Sequence, residues 1–212
     1  MNVLHYTLIS DGPSDQVLLP ILDWLLRAGG FVGEVQARWV DPRPLPGDQR
    51  SLQNRIQLSL EYQPCNLLFI HRDAEKEPRE ARVSEIKAAI EAVDNLSIPP
   101  AIYVIPVRMT EAWLLFDEAA IRQAAANPHG RQPLQLPELS TLEQGSDPKE
   151  ELYALLRTAS GLPKRRLKKF RPQERIYAIA DRIRDFSPLR VLTAFSTLET
   201  DVLAILQQQH WV

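Results

Sequence analysis

The sequence predicts an α/β fold with a mostly parallel, four-stranded sheet flanked by helices and a helical C-terminal extension. In the first half of the chain, short apolar runs alternate with segments whose apolar residues recur at helical spacing, as in strand and helix units of α/β proteins. The run at 66–71, NLLFIH, has an unbroken apolar centre, as central parallel strands usually do. After residue 146 only helical spacing remains.

The start of the chain shows how the elements are assigned. A strand stops at Asp11, and Gly12-Pro13 then begins a helix, because a proline at the first helical position loses no hydrogen bond. Apolar residues recur on one helical face from Val17 to Leu26, and Gly29-Gly30 ends the helix. In chain order the predictions are a strand at 3–10, this helix, a strand at 34–40, a proline-rich loop at 41–48, a helix at 51–61, a strand at 66–71, a helix at 79–93 and a strand at 101–107.

The second half of the chain is predicted to be helical. A helix begins at Thr110, a natural N-cap, and continues through EAWLLFDEAAIRQAAA. Residues 127–146 hold three prolines and little periodicity, which indicates a long loop or lid. Helices follow near 147–158, 172–184 and 188–208. We therefore expect an α/β domain at 1–126, a loop at 127–146, and a helical region at 147–212 packed on the same core.

Composition excludes several classes of protein. No apolar run approaches the ~20 residues of a membrane span, and the N-terminal residues lack the pattern of a secretory signal. We therefore expect a cytoplasmic protein without a membrane partner. Cys65 is the only cysteine, so disulfide frameworks and cysteine-ligated zinc are excluded. A net charge of −2 does not by itself indicate a nucleic-acid binder.

Carboxylates follow three of the four predicted strands. Asp11 and Asp15 follow the first strand, Asp73 and Glu75 the third, and Glu111 the fourth. The carboxyl ends of parallel strands meet at one edge of a sheet, so these acids would converge there. A divalent cation such as Mg²⁺ or Mn²⁺ would relieve their repulsion, and two ions about 4 Å apart could assist phosphodiester cleavage. Read singly, each acid is also explained as a turn or first-turn residue.

Other catalytic motifs are missing from the sequence. It contains neither a P-loop, a GxGxxG after a strand, nor a GxSxG nucleophile elbow. Its four histidines show no metal-binding spacing with one another. His71 precedes Asp73 by two residues and could reach the acidic site, although a packed histidine at a strand end is the plainer interpretation.

Several short segments resemble a known family. The segment 11–15, DGPSD, resembles the EGxxE element of Toprim domains, and 73–75, DAE, resembles their DxD element. The segment 111–117, EAWLLFD, resembles the ExWLLxD element of a Toprim-like group of small proteins of the domain-of-unknown-function type. That group is similar to RloB-like proteins and to the Toprim half of OLD-family (overcoming lysogenization defect) nucleases. Its DPKxxL and SPSF elements resemble 147–152 and 186–195 here.

The resemblance implies a Toprim fold with a Mg²⁺-dependent nuclease site, often working beside an ABC or AAA-type ATPase in defence against phage or plasmids. The implied metal ligands are Asp11, Asp15, Asp73, Glu75 and Glu111. Asp11 and Asp15 would also be catalytic, and Lys149 is the candidate for the family's phosphate-binding lysine, although an exposed first-turn lysine is an equal interpretation. Asp11 is one methylene shorter than the usual glutamate and Glu75 one longer than the usual aspartate, so their reach differs.

A basic segment at 164–175 would supply phosphate contacts to a nucleic acid. Its cations are Lys164, Arg165, Arg166, Lys168, Lys169, Arg171 and Arg175. Phe170 could stack on a base, and the alternative for the whole segment is a solvated helix face.

Three functional hypotheses follow. The first is a metal-dependent nuclease of Toprim type that hydrolyses DNA or RNA. The second is a non-catalytic Toprim-like subunit with a degenerate metal site that docks on a partner ATPase. The third is a small-molecule phosphohydrolase.

Overall fold

The computed structural model describes residues 1–41, 51–75, 77–94, 96–145 and 147–212. Four strands form one all-parallel sheet in the order β2-β1-β3-β4. The strands are β1 (Val3–Ile9), β2 (Glu34–Val40), β3 (Leu67–His71) and β4 (Ala101–Val104). This confirms the predicted α/β class with a parallel sheet flanked by helices. Apart from Asp41, the predicted proline-rich loop lies outside the described residues.

Eight α-helices occur in the described ranges. They are α1 (Leu18–Ala28), α2 (Leu52–Tyr62), α3 (Arg79–Glu91), α4 (Glu118–Ala124), α5 (Pro148–Ala159), α6 (Lys164–Leu167), α7 (Ile176–Arg182) and α8 (Thr193–Gln208). Short 3-10 segments precede α1, α7 and α8, and each has a proline in its first turn. Within these ranges no helix is long and apolar enough to cross a membrane.

The strand order places a topological switch point between β1 and β3. The chain moves from β1 to β2 on one side and then returns past β1 to form β3 on the other. Ile9 pairs in register with Ile70, and His71 pairs with Val104, so the carboxyl ends of the three strands lie side by side. In open parallel sheets the crevice at such a point is the usual place for a ligand.

Helices cover both faces of the central strands. One face of the sheet packs against α1, α4, α5, α7 and α8, and the other packs against α2 and α3. The C-terminal helices therefore share the larger apolar cluster with β1. Trp113, which is fully buried, meets Phe195 of α8 edge to face with ring centroids 5.4 Å apart. Such burial of aromatic area is a major source of stability.

Several predicted elements differ in detail from the structure: the helices predicted from Pro13, near 172–184 and near 188–208 each begin with a 3-10 segment. Strand β4 ends at Val104, because Pro106 has no N–H to donate to a ladder. The helix predicted from Thr110 is divided into a 3-10 segment, Thr110–Leu114, and α4, with Asp117 as the N-cap of α4. The predicted long loop contains a further 3-10 segment, Leu139–Gln144, anchored by a buried leucine.

Candidate functional site at the carboxyl edge of the sheet

Asp15 organises the loop that follows β1. Its Oδ2 accepts hydrogen bonds from the backbone N–H groups of Asp11 (3.1 Å) and Gly12 (3.0 Å), and its Oδ1 accepts one from the Ser14 hydroxyl (3.2 Å). This is the reach-back contact of a first-turn acid to free backbone donors. The same carboxylate, only 8% exposed, also faces β3. Asp15 thus fixes the loop after β1 and also lies beside the carboxyl end of β3.

His71, the last residue of β3, lies between two carboxylates. Its Nε2 is 3.1 Å from Asp73 Oδ1 and 3.1 Å from Thr110 Oγ1. Its Nδ1 is 3.5 Å from Asp15 Oδ2, which is an ion-pair distance without the geometry of a hydrogen bond. The ring is 1% exposed, so these groups rather than water determine its protonation. His71 is thus a buried histidine at a strand end, the plainer interpretation of the sequence, and it also contacts the acids.

The two carboxylates hold His71 as an imidazolium. Burial alone would lower the pKa of His71, but Asp15 and Asp73 outweigh it and raise the pKa to about 9. Conversely, burial alone would raise the pKa of Asp15, whereas the His71 cation and the local N–H and O–H donors lower it below its ordinary value. At neutral pH the ring therefore carries a positive charge between two negative groups.

Glu111 adds a third carboxylate to this group. It lies in the 3-10 segment after β4 and is 6% exposed. Burial raises the pKa of Glu111 and the nearby Asp73 and Asp15 charges add to this effect, while Lys149 opposes it. Lys149 Nζ, in the first turn of α5, is 3.7 Å from Glu111 Oε1. Asp15, Asp73 and Glu111, one acid from each of the three predicted strand ends, therefore lie close enough for their charges to interact. We call Asp15, His71, Asp73, Glu111 and Lys149 the acidic site.

Asp11 is placed differently from the other acids. Both of its oxygens lie 2.5 Å from Arg72 Nη1, and its Oδ1 is 3.0 Å from Arg55 Nη2. Its side chain is 46% exposed. The carboxylate predicted to bind metal is thus paired with two guanidinium groups, one from α2 and one following β3.

Glu75 is also separated from the acidic site. Its side chain is exposed and lines a cavity with Arg108 and Thr193, to which neither Asp15 nor Asp73 contributes. Its backbone adopts a left-handed φ of 54° and donates to the carbonyl of Arg108 at 3.2 Å. The structure therefore brings together Asp15, Asp73 and Glu111 of the predicted set, with Lys149, and leaves Glu75 apart.

The donor chemistry of the acidic site suits a hard divalent cation, which prefers carboxylate oxygens. Glu111 has a raised pKa partly because Asp73 and Asp15 are close, and a cation would relieve that repulsion. In the described part of the chain, however, no three His, Cys, Asp or Glu side chains are grouped closely enough to hold one ion. His71 supplies the positive charge between Asp15 and Asp73 instead.

The basic segment forms α6 and the 3-10 turn after it. Its lysines and arginines are exposed, and within the described ranges none of them forms an ion pair with a carboxylate: Lys164, Arg165, Arg166, Lys168, Lys169, Arg171 and Arg175. Phe170 is partly buried against the core, so it is less available to stack on a base than predicted.

Comparison with known proteins adds no family assignment. No family model matches the chain, and neither a curated protein nor a solved structure matches it. The resemblance to Toprim proteins therefore stays a hypothesis based on the short segments given above.

Proposed function

We propose that this protein hydrolyses phosphodiester bonds of nucleic acid with the help of a divalent cation at the acidic site. The supporting observation is that Asp15, Asp73 and Glu111 follow three different strands and lie close enough for their charges to interact. Buried like charges destabilise a fold, and such perturbed groups cluster at functional sites.

The proposed roles follow from the contacts. Asp15 and Asp73 would hold the cation, with water in the remaining positions, and the cation would supply a water of lowered pKa and offset the charge of the diester. His71 orients Asp73, and the Thr110 hydroxyl contacts the same ring nitrogen of His71. The backbone N–H groups of the β1 loop orient Asp15.

Two groups are available for the substrate itself. Glu111, whose pKa is raised, is the carboxyl best suited to carry a proton to the leaving oxygen. Lys149, 41% exposed, can contact a phosphate from the same side.

Nucleic acid is the substrate class that the basic segment favours. Exposed lysines and arginines without carboxylate partners can bind a phosphate backbone and displace its counterions. This gives affinity without sequence specificity. Lys149 lies in the first turn of α5, and the basic segment starts shortly after α5 ends. The 12 residues of α5 span about 18 Å, a distance that one strand of several nucleotides can bridge.

A wider proposal concerns the cellular role. The Toprim-like segments support a nuclease that works beside an ABC or AAA-type ATPase in defence against phage or plasmids. This proposal depends on the resemblance alone.

The second candidate is a non-catalytic Toprim-like subunit that docks on such an ATPase. Two observations favour it. Asp11 is engaged by Arg55 and Arg72, and His71 already compensates the charges of Asp15 and Asp73.

A cleavage assay separates the two candidates. Labelled single-stranded DNA, duplex DNA and RNA are incubated with Mg²⁺ or Mn²⁺ and either wild type, Asp73→Asn or Asp185→Asn. Asp185 is an exposed acid outside the acidic site and serves as the matched control. The proposal predicts cleavage that falls at least about 100-fold in Asp73→Asn and is unchanged in Asp185→Asn.

Three results would contradict the proposed nuclease. Equal cleavage by Asp73→Asn would place the activity elsewhere, in the protein or in a contaminant. An absence of cleavage by wild type under every metal condition would favour the non-catalytic subunit, and turnover of phosphomonoesters alone would favour a small-molecule phosphohydrolase.

A further inference from the structure

A group of arginines lies next to the acidic site. Arg55 comes from α2, Arg72 directly follows β3, and Arg82 comes from α3. We call these three residues the arginine cluster. Arg82 Nε donates to the backbone carbonyl of Asp73 at 3.0 Å, so the cluster shares a loop with the acidic site.

The arginine cluster has more positive than negative charge. Its carboxylate partners among the described residues are Asp11 and Glu85, so three guanidinium groups face two carboxylates. Glu85 bonds both Arg72 and Arg82. The acidic site beside it has three carboxylates and two cations. The two groups thus differ in the sign of their net charge and are joined through the loops that follow β1 and β3.

Asp11 contacts the arginines as a phosphate would. It accepts from Arg72 with both oxygens at 2.5 Å and from Arg55 at 3.0 Å, while Arg55 is held in place by the Ser10 carbonyl. Both Asp11 oxygens accept from the same nitrogen, Arg72 Nη1, and guanidinium N–H groups donate to carboxylate and phosphate oxygens alike. Asp11 is 46% exposed, so it can leave this position toward solvent.

The guanidinium groups also have unused donors. The Nε atoms of Arg55 and Arg72 are buried and, within the described residues, have no hydrogen-bond partner. Arg55 as a whole is only 5% exposed. Buried donors are usually paired, because an unpaired buried donor destabilises the fold. These atoms indicate a site that a further acceptor would complete.

We infer that Arg55 and Arg72 form a phosphate-binding subsite that Asp11 occupies when no substrate is bound. The ligand chemistry is a phosphate oxyanion, either from an internal phosphodiester or from a terminal phosphate. Asp15 accepts from the N–H of Asp11, so the subsite and the acidic site are joined by one loop. That the subsite positions a substrate for cleavage rests on the proposed function. That the subsite binds phosphate does not.

The test measures phosphate binding without any metal. Wild type, Asp11→Asn, Arg72→Gln and the double variant are titrated calorimetrically in EDTA. The probes are inorganic phosphate, thymidine 5′-monophosphate and an oligothymidylate without terminal phosphates. The matched control is Glu199→Gln, because Glu199 binds a single arginine, Arg190, through both oxygens at 2.7–3.0 Å elsewhere on the surface.

The inference predicts that Asp11→Asn binds phosphate at least about tenfold more tightly than wild type, because the competing carboxylate is lost. The double variant should lose this gain, and Glu199→Gln should behave as wild type. Binding of the oligothymidylate identifies an internal diester as the ligand, and binding of the mononucleotide alone identifies a terminal phosphate. Either result supports the subsite.

Two outcomes would overturn the inference. One is an Asp11→Asn protein whose melting temperature is close to that of wild type and whose phosphate affinity is unchanged or weaker. The other is a gain that persists in the double variant or appears equally in Glu199→Gln, which would indicate a general charge effect. Since no metal is present, these outcomes leave the cleavage proposal untouched, and loss of cleavage in Asp73→Asn leaves the subsite untouched.

Discussion

Replacing His71 with glutamine should change how stability depends on pH. In the folded protein the pKa of His71 is raised to about 9 from an ordinary value of 6.5 by Asp15 and Asp73. The folded state therefore keeps a proton that the unfolded state releases between these two values. The stabilisation is fully present below pH 6.5 and is lost as pH rises through 9.

The magnitude follows from the same shift. Each pH unit in this window should reduce the free energy of unfolding by about 1.4 kcal/mol, because one more proton is bound in the folded state. Between pH 6.5 and pH 9 the free energy of unfolding should therefore fall by about 3 kcal/mol. His71→Gln has no such proton, so its stability should be lower near pH 6 and should lack this slope.

Urea unfolding at closely spaced pH values, in EDTA, measures the effect. The wild-type free energy is compared with that of His71→Gln at each pH, which removes the contributions of other titrating groups. The control is His129→Gln, since His129 lies on an exposed turn and should keep the wild-type slope. Parallel pH profiles for wild type and His71→Gln would refute the assignment of an imidazolium between Asp15 and Asp73.

Two further predictions concern the core and a helix end. Trp113→Ala should lower the free energy of unfolding by about 3–5 kcal/mol in urea, because the indole is fully buried against Phe195. A loss below about 1 kcal/mol would contradict this packing. Asp117→Ala should cost about 1 kcal/mol in thermal unfolding, since Asp117 Oδ1 caps α4 by accepting from Ala120 N–H at 2.9 Å. An unchanged melting temperature would show that this cap is dispensable.

The sheet could be predicted because its signal is local. The apolar run before His71 and the turn residues after each strand identify the elements without long-range information. The residues at which each helix or strand begins and ends depend on tertiary contacts, which the sequence does not show. Thr110 was predicted to be an N-cap, but it is 2% exposed and its hydroxyl contacts His71 instead.

The candidate site was predictable in part. Asp15, Asp73 and Glu111 follow strand ends, and parallel topology alone brings them to one edge. The arginine cluster was not foreseen, because Arg55 lies 44 residues from Asp11 and resembles any polar residue on the outer face of a helix. Only the packing of α2 beside β1 turns it toward the site.

Calorimetric titration of Mn²⁺ into wild type, Asp73→Asn and Asp185→Asn tests the acidic site most directly. The proposed function predicts saturable binding to wild type and to Asp185→Asn, and none to Asp73→Asn. If Asp73→Asn bound Mn²⁺ as wild type does, or if wild type bound none, the result would contradict the proposal that the carboxylates around His71 hold a cation.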